Sequence, residues 1–222
     1  MPIFKKTIFC MTFLTVLICA SCGGGDSGGV TPASLNPILK NLAINFSDFD
    51  LTILANEDRK PFLPFGGVLT ATQLNPTFEF YLKFGSDIIS PVDGVIADVH
   101  FRSDSNDYTV SITPQDTNDW SLFLDHVLTP VVAVGTIVAA GDAIGKAGMW
   151  DENLGRTELQ LYNNTDFLSY CPMNYLDSSV ASGLEAEITN LMNEWEALES
   201  DPNAYDESAM SPPGCLTTSI EG

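Results

Sequence analysis

From Phe78 to Tyr162 the chain alternates short apolar runs with Gly, Asp, Asn and Pro. The stretches 78–84 (FEFYLKF), 94–101 (GVIADVHF), 108–112 (YTVSI), 120–127 (WSLFLDHV), 136–148 (TIVAAGDAIGKAG) and 156–162 (RTELQLY) each read as strands bounded by turn formers. No segment of helical period interrupts them, so the pattern predicts a mainly β protein with a compact antiparallel sheet core. After Tyr175 the period changes. Leu184, Ile188, Leu191, Trp195 and Leu198 recur at steps of four and three, which places them on one face of a C-terminal amphipathic helix. Ser182 with Glu185 reads as a capping box at its start, and Asp201-Pro202 as its stop. Residues 30–64 form an N-terminal extension in which Pro32, Pro37, Pro61 and Pro64 break any long element.

The first residues have a different texture. Lys5 and Lys6 precede an apolar run, residues 7–20, that is too short to span a bilayer comfortably. A basic start, an apolar middle and small residues at the end predict a signal peptide over 1–21 and an exported protein. The end, Cys19-Ala20-Ser21-Cys22, resembles a bacterial lipobox with Cys19 in place of the usual leucine, and so implies lipidation of Cys22. A plain secretory signal cut near Ala20 is the alternative. Residues 22–29 then combine the lipidated cysteine with a glycine-rich tether. Gly23, rather than Asp, after the cysteine implies the outer membrane if the cell is Gram-negative. With residues 1–21 removed and Cys22 acylated, Cys171 and Cys215 remain. A pair in an oxidising compartment reads as a disulfide, two free thiols being the alternative.

Composition narrows the partners. A hydrophobic content of 45% supports one globular domain with extensions, and the formal charge is −20. Losing Lys5 and Lys6 with the signal deepens the acidic excess, so nucleic acid and anionic polymers are poor partners for such a surface.

Ser90, Pro91, Asp93, Gly94 and Val95, followed by Val134, Gly135, Val138, Gly141, Asp142, Ile144, Gly145 and Gly148, and then by residues 171–176 (CPMNYL), form a series of phrases. Over residues 65–176 this series resembles the lysostaphin or LytM-type zinc endopeptidases, which cut peptide cross-links in bacterial walls and have the duplicated hybrid motif fold. Lipoyl and biotinyl carrier domains share part of the glycine cadence, but they carry a lysine between their halves, and residues 96–133 contain none. The glycines themselves mark turns or positive-φ positions and report fold.

The resemblance also implies where a metal site belongs. It puts Asn75, Glu79 and Gln160 at the zinc-ligand positions, and Glu158 and His126 at two catalytic positions. His100 falls in a variable stretch and reads as a surface residue. Strand alternation supports the register at the last strand, with Glu158 and Gln160 on one face and Leu159 and Leu161 turned to the core. Catalytic zinc needs about three strong donors and an open position. The amides of Asn75 and Gln160 are weak, hard donors. The resemblance therefore implies a domain with its metal ligands substituted and no zinc cofactor, His126 being the surviving catalytic position. Glu79 and Glu158 holding a hard cation such as calcium stays open. So do a plain strand at Asn75 and Glu79 and a purely structural His126.

The expectation is a lipid-anchored, catalytically inactive LytM-like domain, with residues 177–222 as an added helix and disulfide-pinned tail. Its partners would be a peptidoglycan peptide or an envelope protein such as a wall hydrolase, with the membrane reached through the lipid. An active zinc-dependent peptidoglycan endopeptidase with an atypical metal site is the alternative. A structural lipoprotein with no groove ligand is the third reading.

Overall fold

The computed structural model describes residues 35–221. The signal peptide, lipidated Cys22 and tether expected from the sequence lie outside the described residues.

Among the described residues, thirteen strands and two α-helices follow in order. Helix α1 is Leu51–Asn56, and the first strands are β1 (Phe62–Leu63), β2 (Val68–Thr70), β3 (Gln73–Leu74), β4 (Phe78–Lys83) and β5 (Asp87–Ile89). The central strands are β6 (Gly94–Arg102), β7 (Asp107–Pro114), β8 (Trp120–Leu128), β9 (Ile137–Val138), β10 (Ala143–Met149) and β11 (Leu154–Asn163). Strand β12 (Leu168–Tyr170), helix α2 (Ala181–Glu199) and strand β13 (Ser219–Glu221) complete the chain. The main sheet runs β1-β4-β11-β10-β8-β7-β6-β9, and β11 also pairs β8 and β12. The pairings between these strands are antiparallel, as the alternating pattern predicts.

Alternation sets which face is buried. On β11, Leu159 and Leu161 are fully buried, while Glu158 and Gln160 face the other way. Leu122 and Leu124 of β8 and Phe78, Phe80 and Leu82 of β4 join the same core. Burying a side chain of this size is worth about 1.5–3 kcal/mol. Leu39, Leu42, Ile44 and Leu54 from the N-terminal extension and Ile188, Leu191 and Trp195 from α2 belong to that core as well. Asp50 caps α1, its carboxylate accepting from the N–H groups of Thr52 and Ile53.

Two features of α2 differ from the sequence reading. The helix begins at Ala181, with Val180 at the cap position and no side-chain cap, so Ser182 and Glu185 form no capping box. The preceding turn replaces it, because the Asp177 carbonyl accepts from the N–H groups of Val180 and Ala181. Leu198, which the helical period places with the buried positions, is exposed.

The Cys171–Cys215 disulfide is present, with both residues buried. The tail is also held by hydrogen bonds: the Phe65 N–H donates to the Gly214 carbonyl, the Leu216 N–H donates to the Phe65 carbonyl, and β13 pairs β12. Among the described residues no helix is long and apolar enough to cross a membrane.

The five glycines of the sequence phrases divide in two. Gly135 and Gly141 have positive φ, as expected of turns. Gly94, Gly145 and Gly148 instead allow close approach, and Gly148 is the one that matters for the site described next.

Candidate functional site

One register row carries three carboxylates. Glu79 of β4 is the partner of Glu158 on β11, and Glu158 is the partner of Asp125 on β8. Like charges directly opposite one another are destabilising, so such a row requires compensating positive charge. Arg156 supplies much of it. Two residues before Glu158, it projects on the same face, with Nη2 3.0 Å from Glu158 Oε1 and Nε 3.5 Å from Glu79 Oε1. Its Nη2 also contacts His126 Nε2, and its guanidinium lies 5.5 Å from the centre of the Trp150 ring. Arg102 pairs with Asp125, which also accepts a hydrogen bond from the Thr109 hydroxyl at 2.8 Å.

His126 reaches this row because β8 carries an extra residue. Tyr108 is the partner of Val127 but Val110 is the partner of Leu124, so three steps on β8 match two on β7. His126 absorbs the bulge at φ 57°, a left-handed conformation uncommon for a residue with a side chain. Asp125 and His126 thereby both engage side chains of the site. His126 Nδ1 is 2.6 Å from Asp107 Oδ2, which orients the ring, and Nε2 is 3.4 Å from Glu158 Oε1. Gly148 makes room for the bulge. A Cβ there would sit 2.8 Å from the Cβ of His126 and 2.9 Å from its carbonyl oxygen. Gly148 is also the register partner of Arg156.

Burial and charge act differently on the titrating groups. Burial, and then the negative charge of Glu158, push the Glu79 carboxyl above its ordinary range, against the pull of Tyr81, Arg156 and His126. Burial also pushes Glu158 upward, but His126, Arg156 and Thr77 outweigh it and leave that carboxyl below its ordinary range. For His126, burial works to lower the pKa, and the hydrogen bonds with Glu158 and Asp107 more than offset it, so the net direction is upward. Burial raises the Tyr81 hydroxyl, which stays protonated beside Glu79.

The predicted site residues are only partly brought together. Glu79, Glu158 and His126 converge. Asn75 does not join them. It is buried and turned into its own loop, where its Oδ1 accepts from the Thr77 N–H at 3.1 Å and the Thr77 hydroxyl at 2.7 Å. The alignment of Asn75 with a metal-facing position is thus corrected: an Asx turn ahead of Pro76 holds the side chain away, and Thr77 is the β4-side residue lining the cleft. Gln160 lines that cleft, but its amide donates to the Ser169 hydroxyl at 2.7 Å. The cleft has a volume of about 140 Å³ and is further lined by Thr109, Phe123, Asp125 and Glu158. His100 is exposed, in line with the surface reading.

Four participants were not anticipated: Arg156, Tyr81, Asp107 and Asp125. Asp107, Asp125 and His126 bring ligand-type atoms within 4.8 Å of one another, a group able to hold a metal ion. In this structure each of the three is already engaged. The ring nitrogens of His126 meet Asp107 and Arg156, and Asp125 meets Arg102. The expected set of Asn75, Glu79 and Gln160 does not converge on one point, so the zinc of the LytM-type enzymes does not fit those three residues as they stand.

No family model matches the chain, and no curated protein matches it. The solved structures similar to it include LytM-type peptidases. The catalytic domain of the antimicrobial peptidase lysostaphin from Staphylococcus simulans is 17% identical, with 52% of this chain and 87% of that one covered at a TM-score of 0.42. Csd3 from Helicobacter pylori is 16% identical, with 79% of this chain and 44% of that one covered at a TM-score of 0.46. A zinc-containing peptidase from Vibrio cholerae is 13% identical, with 58% and 38% covered at a TM-score of 0.43. In the longer lysostaphin structures the matched part is 42% and 47% of the chain. At these identities the likeness is one of fold.

Proposed function

We propose that this protein is a LytM-like domain that works by binding rather than by zinc-dependent hydrolysis, in the bacterial envelope and anchored through a lipid on Cys22. The observation that carries this reading is Arg156. Its guanidinium lies against Glu79, Glu158 and His126, the three residues of the predicted site that do converge. A peptidase of this class needs a metal to activate its water, and a guanidinium does not take that role, because it donates hydrogen bonds to water but is no Lewis acid and has no site to accept the water's proton. The cleft beside it is open, lined by Thr77, Thr109, Phe123 and Gln160 with Asp125 and Glu158, and of a size to take a peptide side chain. A cell-wall peptide or a segment of a wall hydrolase is the ligand class, and the acidic surface argues against nucleic acid.

Pull-down on purified peptidoglycan, paired with a cross-link cleavage assay in added zinc, tests the proposal. Retention on the wall without cleavage is expected. Cleavage that a chelator abolishes would replace the proposal with the peptidase reading. That second reading has one observation in its favour, the Asp107–Asp125–His126 group, and it requires Arg102 and Arg156 to move aside.

A further inference from the structure

We infer that the domain rests an apolar face, formed by Leu35, Ile38, Val95 and Ile137, on a zwitterionic lipid surface beside its own anchor. This deepens the envelope reading and rests on the lipid at Cys22. It involves none of the residues around Arg156.

The fold does not account for this face. On β9, Val138 points into the core, while Ile137 points outward and is 82% exposed, so packing calls for no isoleucine there. Its register partner on β6 is Val95, also exposed, and the two aliphatic side chains stand next to each other on the outer side. At the start of the described chain, Leu35 and Ile38 are 60% and 58% exposed. The two pairs share one surface. Val95 and Ile137 line a hollow that has Pro114 and Gln115 in common with the hollow lined by Leu35 and Ile38. Single apolar residues on a surface are ordinary, whereas a contiguous set marks a contact face.

The chain itself says what covers the face. Residues 22–34 separate the expected acyl group from Leu35, and a glycine-rich segment of that length reaches about 20 Å on average. The apolar face begins at the residue where this segment joins the fold, so the anchor holds it close to a bilayer. A short tether keeps the local concentration in the millimolar range, and a contact too weak to hold a free protein then suffices. Charge decides the kind of surface. Asp93, Asp116 and Asp177 line the first hollow against one lysine, Lys40, and the whole chain carries a formal charge of −20. That excess is repelled by anionic headgroups and favours zwitterionic ones. It also works against a second copy of this chain as the occupant.

Quenching by brominated lipid tests the inference. The full chain, processed and lipidated, is reconstituted into phosphatidylcholine vesicles with and without bromine on the acyl chains. An environment-sensitive fluorophore is attached through Ile137→Cys, and in a second sample through Val68→Cys. Both side chains are largely exposed, so neither change disturbs packing, and Val68 follows β1, which lies at the other end of the sheet order from β9. The Ile137→Cys label should shift to the blue and lose roughly half its emission to the brominated chains, at the depth of about 5–10 Å that such contacts reach. The Val68→Cys label should keep its emission. Adding Leu35→Asp and Ile38→Asp to the Ile137→Cys chain should remove the quenching. Quenching that survives those two changes overturns the inference, since the label would then enter the lipid by itself. An acylated chain whose two labels are both unquenched, or quenched alike, also overturns it and leaves the anchor standing. A blue shift without quenching by bromine puts protein instead of lipid on this face and overturns it as well. Mass spectrometry of the same samples reads the acylation of Cys22, and a chain without it removes the anchor reading and the inference together.

Discussion

Glu79 and Glu158 face each other as register partners on β4 and β11, and Arg156, two residues earlier on β11, contacts both carboxylates. Breaking a buried pair of this kind costs far more than the pair contributes, because a charge is left without compensation. The arrangement therefore depends on strands β4, β8 and β11 keeping their register, while the bulge at His126, between β7 and β8, brings the His126 ring to that row.

Gly148→Ala tests the bulge. The added methyl would meet the Cβ of His126 at 2.8 Å and its carbonyl oxygen at 2.9 Å, both on packed backbone with little freedom to yield. Overpacking of this sort costs about 1–3 kcal/mol. Urea denaturation should show a loss in that range, accompanied by a shifted His126 ring resonance. A variant as stable as the natural protein, with the resonance unmoved, would mean that β10 does not hold His126 in place.

The tail offers an independent test. Cys171 and Cys215 are 44 residues apart in sequence, so the closed loop constrains the unfolded chain by about 4 kcal/mol on the loop-entropy account. The double change Cys171→Ala with Cys215→Ala should lower stability by up to that amount and expose the C-terminal tail to protease first, since α2 keeps its own buried face on Ile188, Leu191 and Trp195. Loss of the whole fold at once would instead make the tail part of a single cooperative unit with the sheet.

These residues also mark what could be read in advance. Strand alternation placed Leu159 and Leu161 inside and Glu158 outside, and the helical period placed Ile188, Leu191 and Trp195 in the core, because both signals depend only on local spacing. Arg156 carried the same signal as Glu158, two residues away on one strand, but the family phrase drew attention only to the positions after it. Asp125 and Asp107 had no such signal. Their arrival depends on one extra residue in β8, and no periodicity announces a bulge. Asn75 was misplaced for a local reason: counting residues gives a position along the chain, while the Asx turn with Thr77 decides where the side chain points.

Cys22 lies outside the described residues, and its lipidation is a prediction from the lipobox resemblance and the tether alone. Cys22→Ala should move the protein from the membrane fraction to the soluble one. A mutant that still partitions fully into detergent would remove the anchor from the proposal.

The last prediction concerns pH and isolates Glu79 from its neighbours. Its carboxyl is raised above 4.5 in the fold, so the native state holds that proton more tightly than the unfolded chain does. The stability this contributes is fully present below the unfolded value and is lost as pH rises through the folded one. His126, raised above 6.5, acts in the same sense at higher pH, while Glu158, lowered below 4.5, acts in the opposite sense and loses its contribution as pH falls. Glu79 is faced by Glu158, Tyr81, Arg156 and His126. Glu79→Gln cannot titrate, so subtracting its stability from that of the natural protein at each pH removes most of what the neighbours contribute. The difference should move in favour of the mutant as pH rises from about 4 to about 8, because only the natural protein must then bury the charge of Glu79. Thermal melts across that range decide it. A difference that stays flat would mean that Arg156 already compensates the Glu79 charge in full.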